Sequence, residues 1–124
     1  MTATIHSFTG LKAWQEAHAL VIKIYEMTKA FPREEQFGLT DQIRRAAVSI
    51  SSNLAEGFSK KFKKEKSQFY STALASLTEV QNQMLIARDV GYITNELFQL
   101  NAQRTVTVSK LINGLIKTVQ NRTP

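Results

Sequence analysis

The sequence predicts an all-α fold, an up-down-up-down antiparallel four-helix bundle. Three observations carry that prediction. Prolines occur only at Pro32 and Pro124, so long uninterrupted helices are permitted. Four segments repeat apolar residues every three or four positions, and the links between them are short enough to make successive helices antiparallel. The expected helices are about 9–30, 39–57, 63–90 and 95–119, within one domain spanning 1–124.

In the first helix, Leu11, Trp14, Val21, Tyr25 and Thr28 form one stripe, and Ala17, Leu20, Ile24, Met27 and Phe31 form its neighbour. Phe31-Pro32-Arg33 stops it, because the residue before a proline is pushed out of the α region. A loop from Pro32 to Gly38 follows. The second helix turns Leu39, Ile43, Ala46, Ala47, Ile50 and Leu54 toward the core and is expected to stop near Gly57. The third carries Phe69, Tyr70, Ala73, Leu74, Leu77, Val80, Gln81 and Met84, and ends near Gly91-Tyr92. The fourth is marked by Leu97, Leu100, Val108, Leu111 and Leu115, with Phe98, Ile112, Ile116 and Val119 beside them. Thr105-Val106-Thr107-Val108 gives a weak strand signal inside this helical pattern.

Composition narrows the class. There is no cysteine, no apolar run long enough to span a membrane, and the opening MTATIHSFTG lacks the basic start and apolar stretch of a secretory leader. A soluble, cytoplasmic protein is expected, with no membrane partner. The net charge is +6, and residues 44–66 hold most of it: Arg44, Arg45, Lys60, Lys61, Lys63, Lys64 and Lys66 against Glu56 and Glu65. Such a patch attracts polyanions through phosphate contacts and counterion release; a Lys-rich turn can equally serve only to keep a protein soluble.

The outer faces are short of charge. Ala46–Ala55 has none, and Phe69–Ala87 has only Glu79. A monomeric bundle normally puts charge on its solvent face, so helices two and three are expected to be covered twice, by their own bundle and by a second subunit. Val48, Ser52, Ala55, Thr72 and Ala75 are the candidate interface residues. If the two helices fold back near residue 60, Arg44 and Arg45 both come within reach of Glu79. A structural polar network of Arg45, Ser49, Asn53, Glu56 and Glu79 is then expected, with an arginine bridging Glu79 and Gln83 adding a hydrogen bond.

The run FPREEQFGLTDQIRRAAVSISSNLAEG, followed by FYSTALASLTEVQNQMLIARDVGYI, resembles the small bundle proteins encoded within intervening sequences of bacterial 23S ribosomal RNA genes. The likeness covers about residues 8–118, and its most specific parts are Phe31-Pro32, Gln42–Ala46, Ser49-Ile50, Asn53–Gly57, Glu79 and Gly91–Ile93. The resemblance implies an up-down bundle assembling as a homopentameric ring. It also implies likeness of fold to the basic accessory variability protein of diversity-generating retroelements, which binds a reverse transcriptase and nucleic acid. No enzymatic activity is established for the family. Two departures stand out: Phe62 and Lys66 flank Glu65 where the family tends to have a Ser-x-x-Glu cap, and Ala75-Ser76 replaces Gly-Ser. Lys66 falls near the core side, so either its stem snorkels or the helix starts later.

Enzyme classes find little footing. His6 and His18 are the only histidines, neither in a Glu-x-x-His spacing, and no histidine closely follows Arg44, Arg45, Arg88 or Arg104. His18 reads as a core-edge residue. There is no Gly-rich phosphate loop, and no zinc spacing without cysteine. The expectation is a non-enzymatic, cofactor-free and metal-free oligomer. Lys60, Lys61, Lys63, Lys64 and Lys66, with Arg44, would contact RNA or DNA without strong sequence specificity, and a nucleic-acid-processing protein is a further possible partner. The alternative is a structural adaptor ring that binds a protein partner, its lysine turn only solubilising.

Overall fold

Helical periodicity becomes four helices: α1 Lys12–Thr28, α2 Leu39–Ser59, α3 Lys63–Asp89 and α4 Asn95–Asn121. The computed structural model describes residues 7–121. His6, Pro124 and most of the segment read for a leader lie outside the described residues. Among the described residues there is no strand, and Thr105–Val108 sits inside α4, where the apolar spacing of the surrounding turns overrides a local β preference. Two short 3-10 turns, Phe8–Gly10 and Arg33–Glu35, precede α1 and α2.

Each helix packs on its sequence neighbours, and α1 also packs on α4, giving a helical bundle. Residue pairs fix the register. Ser49 of α2 meets Ser76 of α3, and Gln81 of α3 meets Thr105 of α4. Met27 of α1 lies beside Asn101 of α4. The core is built from Leu20, Ile24, Ile43, Ile50, Leu54, Leu77, Val80, Met84, Val108 and Ile112, all essentially removed from water.

Several expected details change. Helix α1 ends at Thr28, one turn before Pro32, whose fixed φ starts the 3-10 turn instead. Helix α2 does not stop at Gly57. It runs on to Ser59, and Gly57 is buried where α2 crosses α3, with a hypothetical Cβ falling 2.6 Å from Tyr70 Cε1. Glycine is there for close approach, not for a left-handed turn; that role belongs to Gly91, at φ +86° after α3. In α4 the inward line is Phe98, Asn101, Thr105, Val108, Ile112 and Val119, so Leu97 and Leu100 are exposed. Counting leucines placed the stripe one position off, because Asn101 and Thr105 fill core positions. Thr105 bonds Gln81 and the Ala102 carbonyl, and Asn101 bonds the Leu97 carbonyl.

Candidate nucleic-acid pole and assembly face

The start of α1, the end of α2, the start of α3 and the end of α4 converge, since Leu11, Phe58, Lys66, Tyr70, Leu115 and Val119 line one cavity. This convergence sorts the charge. Dividing each helix at its middle, residues 7–19, 51–76 and 108–121 carry eight basic and three acidic side chains. Residues 20–50 and 77–107 carry seven of each. One pole of the bundle therefore holds the whole net charge of the described residues. Lys12 and Lys117 belong to it, and no linear window of sequence joins them to the lysine turn.

At the tip of this pole, Lys61 and Lys64 are exposed. Lys60 is partly covered, with its ammonium 5.3 Å from the Phe69 ring centroid. Lys63 is half-buried and engaged. The start of α3 adds the positive end of a helix whose N-cap residue, Phe62, makes no side-chain capping bond. Burial pushes the Tyr70 phenol above its ordinary value of 10.

Two residues expected at the patch do other work. Lys66 snorkels: its Nζ donates to the Phe58 carbonyl at 2.9 Å and the Gly57 carbonyl at 3.3 Å, and lies 5.5 Å from the Phe58 ring centroid. It thus closes the end of α2, where carbonyls lack helical partners. Arg44 is sixteen residues from Lys60, about 24 Å along the helix. Its Nε donates to Thr28 Oγ1 at 2.7 Å and its Nη2 to the Tyr25 carbonyl at 3.3 Å, with the guanidinium 4.5 Å from the Tyr25 ring centroid. It secures the end of α1 and is no part of the pole.

The expected bridge to Glu79 is absent. Arg45 pairs with Asp41 at 3.1 Å, one turn back on its own helix, a shorter reach than crossing to α3. Among the described residues Glu79 makes no ion pair; it is exposed, so water solvates its charge. The serine part of the network does form. Ser49 and Ser76 hydroxyls lie 2.8 Å apart, and Asn53 Nδ2 donates to the Ser49 carbonyl at 2.8 Å and hydroxyl at 3.0 Å. Ser76 is buried where this pairing forms. The Glu56 side chain stays in solvent, and only its carbonyl is used, accepting from Ser59.

Arg45, Ser49, Ser76, Glu79 and Gln83 line a groove of about 320 Å³ between α2 and α3. Gln83 is only 7% exposed, and its Oε1 has no partner. On α2 and α3, Val48, Ser52, Thr72 and Ala75 are exposed and Ala55 is half-covered, and Val48 lines a second cavity with Tyr25, Asp41, Arg44 and Arg45. His18 is exposed and stacks on Trp14 at 4.8 Å. Among the described residues no three His, Cys, Asp or Glu side chains gather as metal ligands, and no helix is long and apolar enough to cross a membrane.

These features define a small helical bundle with its net charge at one end and a neutral polar flank. The profile of the 23S rRNA-intervening sequence protein family matches residues 9–114, and the chain belongs to that family. A crystal structure of a protein with unknown function from the S23 ribosomal protein family of Bacteroides thetaiotaomicron shares the fold. Its TM-score is 0.78 at 19% identity, covering 85% of this chain and 95% of that one. No curated protein matches the sequence.

Proposed function

We propose that this protein is a non-enzymatic, cytoplasmic homo-oligomer of up-down-up-down bundles that binds RNA or DNA through its basic pole, without strong sequence preference. The observation that carries the reading is the one-sided charge, eight basic against three acidic side chains at one pole and balance at the other. Phosphate contact is the expected mode, since lysine ammonium groups neutralise phosphates without reading bases. The test is binding of RNA and DNA across a salt series by the wild type and by a variant with Lys60, Lys61, Lys63 and Lys64 changed to Gln. The variant should bind more weakly and with a shallower salt dependence; an unchanged slope would refute the reading.

A second reading, a ring that serves as an adaptor for a protein partner, is favoured by the unpartnered Gln83 Oε1 at the groove between α2 and α3. Both readings use the flank for assembly, with five subunits as the family resemblance implies. They differ in whether the lysines bind anything.

A further inference from the structure

Phe62 is 69% exposed and stands between Lys61 and Lys63. Nothing in the fold requires an aromatic ring there. It is the N-cap residue of α3 in extended conformation, yet its side chain caps no amide, and among the described residues its ring meets no other ring or cation. The neighbouring aromatics differ. Phe58 and Phe69 are half-buried and each is faced by a lysine ammonium. Phe62 is thus an open aromatic face at the tip of the most basic part of the molecule, with exposed Lys61 and Lys64 beside it.

We infer that this tip takes single-stranded nucleic acid, one base stacking on the Phe62 ring while adjacent phosphates lie against Lys61 and Lys64. The inference rests on the proposed binding at the pole and adds a preference for strand type. A duplex offers phosphates but hides its base faces in the stack, whereas a single strand offers both. Stacking also tolerates any sequence, because every base has a π face. An anionic membrane surface would be recognised differently, since anchoring there scales with buried apolar area. Phe62 is the one large exposed apolar side chain among the described residues of this turn, enough for one base but a poor anchor for a bilayer.

Fluorescence anisotropy with a labelled single-stranded RNA, an abasic oligomer of equal charge and an RNA duplex tests this, using Phe62→Ala and Phe62→Trp. Phe62→Ala should weaken single-strand binding about fivefold or more, with the salt slope unchanged. It should leave abasic and duplex binding as they were, and Phe62→Trp should retain the single-strand affinity. Equal loss for the abasic oligomer, no loss for the single strand, or loss confined to phosphatidylserine vesicles would overturn the inference. Circular dichroism melts of both variants should match the wild type, since the substituted side chain is exposed. If the lysine variant lowers the salt slope while Phe62→Ala changes nothing, only the stacking fails. If neither variant alters binding, the nucleic-acid reading fails with it.

Discussion

Tyr92 Oη donates a 2.7 Å hydrogen bond to Glu35 Oε2, joining positions 57 residues apart. The other carboxylate oxygen accepts from the Leu39 amide at 2.9 Å, so one side chain ties the α3–α4 turn to the first turn of α2. The Leu39 amide, and after it the Tyr92 hydroxyl, hold the Glu35 carboxyl below its ordinary value of 4.5. The same hydrogen bond raises the Tyr92 phenol above 10. A lowered carboxylate stabilises the fold fully above its unfolded value and loses that contribution as pH falls through the folded one. Tyr92→Phe should therefore lower Tm near neutrality, and the gap to wild type should close as pH drops below 4.5. A gap that persists in acid would mean that the ring's packing on Phe31, not the carboxylate, is what the hydroxyl supports.

Two glycines should respond in opposite directions to the same change. At Gly57 a new Cβ would fall 2.6 and 2.9 Å from two atoms of the buried Tyr70 ring and 3.0 Å from Phe69 Cβ. Overpacking of this kind costs about 1–3 kcal/mol, which should exceed the roughly 1 kcal/mol that alanine adds to a helix interior. Gly114 has nothing within 4 Å of its would-be Cβ and lies inside α4. Gly114→Ala should stabilise by about 0.5–1 kcal/mol. Urea denaturation of both variants checks the pair.

Among the lysines of the turn, stability and binding should separate. Lys66→Met keeps the stem over Phe58 but removes the donor to the Gly57 and Phe58 carbonyls, costing about 0.5–1.5 kcal/mol. Its effect on the salt dependence of RNA binding should be small. Lys61→Gln and Lys64→Gln should do the reverse, each leaving Tm unchanged and reducing the salt slope. Thermal melts and salt titrations on the three variants decide it.

Ser52→Glu places a charge on the neutral flank of α2, where Ser52 is exposed in the single chain. If a second subunit covers that flank, the carboxylate must be desolvated and light scattering should show smaller species at micromolar concentration. An unchanged molar mass would place the interface elsewhere, and a monomeric wild type would refute the covered flank altogether.

The helices were legible because Ile43, Ala46, Ala47, Ile50 and Leu54 recur with the helical period, and burial follows that period. The polar contacts were less so. The i,i+4 spacing of Asp41 and Arg45 was there to be read, but the lack of charge around Glu79 drew the expectation across to α3. Asn101 and Thr105 hid the inner line of α4, because each donates to a carbonyl of its own helix and so occupies a core position without an apolar signature, although the Asn101 Oδ1 has no partner. The basic pole was half visible: Lys60–Lys66 are adjacent in sequence, but Lys12 and Lys117 join them only through the folding of the chain, and Arg44 leaves them for the same reason. The bareness of Phe62 was invisible beforehand, since Phe58 and Phe69 have the same composition around them and are covered.

The one-ended charge also makes symmetry consequential. Copies related by rotation about an axis along the bundle all point their poles the same way, gathering the lysines into one rim and leaving the opposite rim neutral. Such a particle would be two-faced, with only one side suited to a polyanion and the other free for a different contact. Copies related by a perpendicular two-fold axis would instead carry lysines at both ends. If the pole binds nucleic acid as proposed, the arrangement of subunits would decide whether an assembly caps a strand or cross-links two.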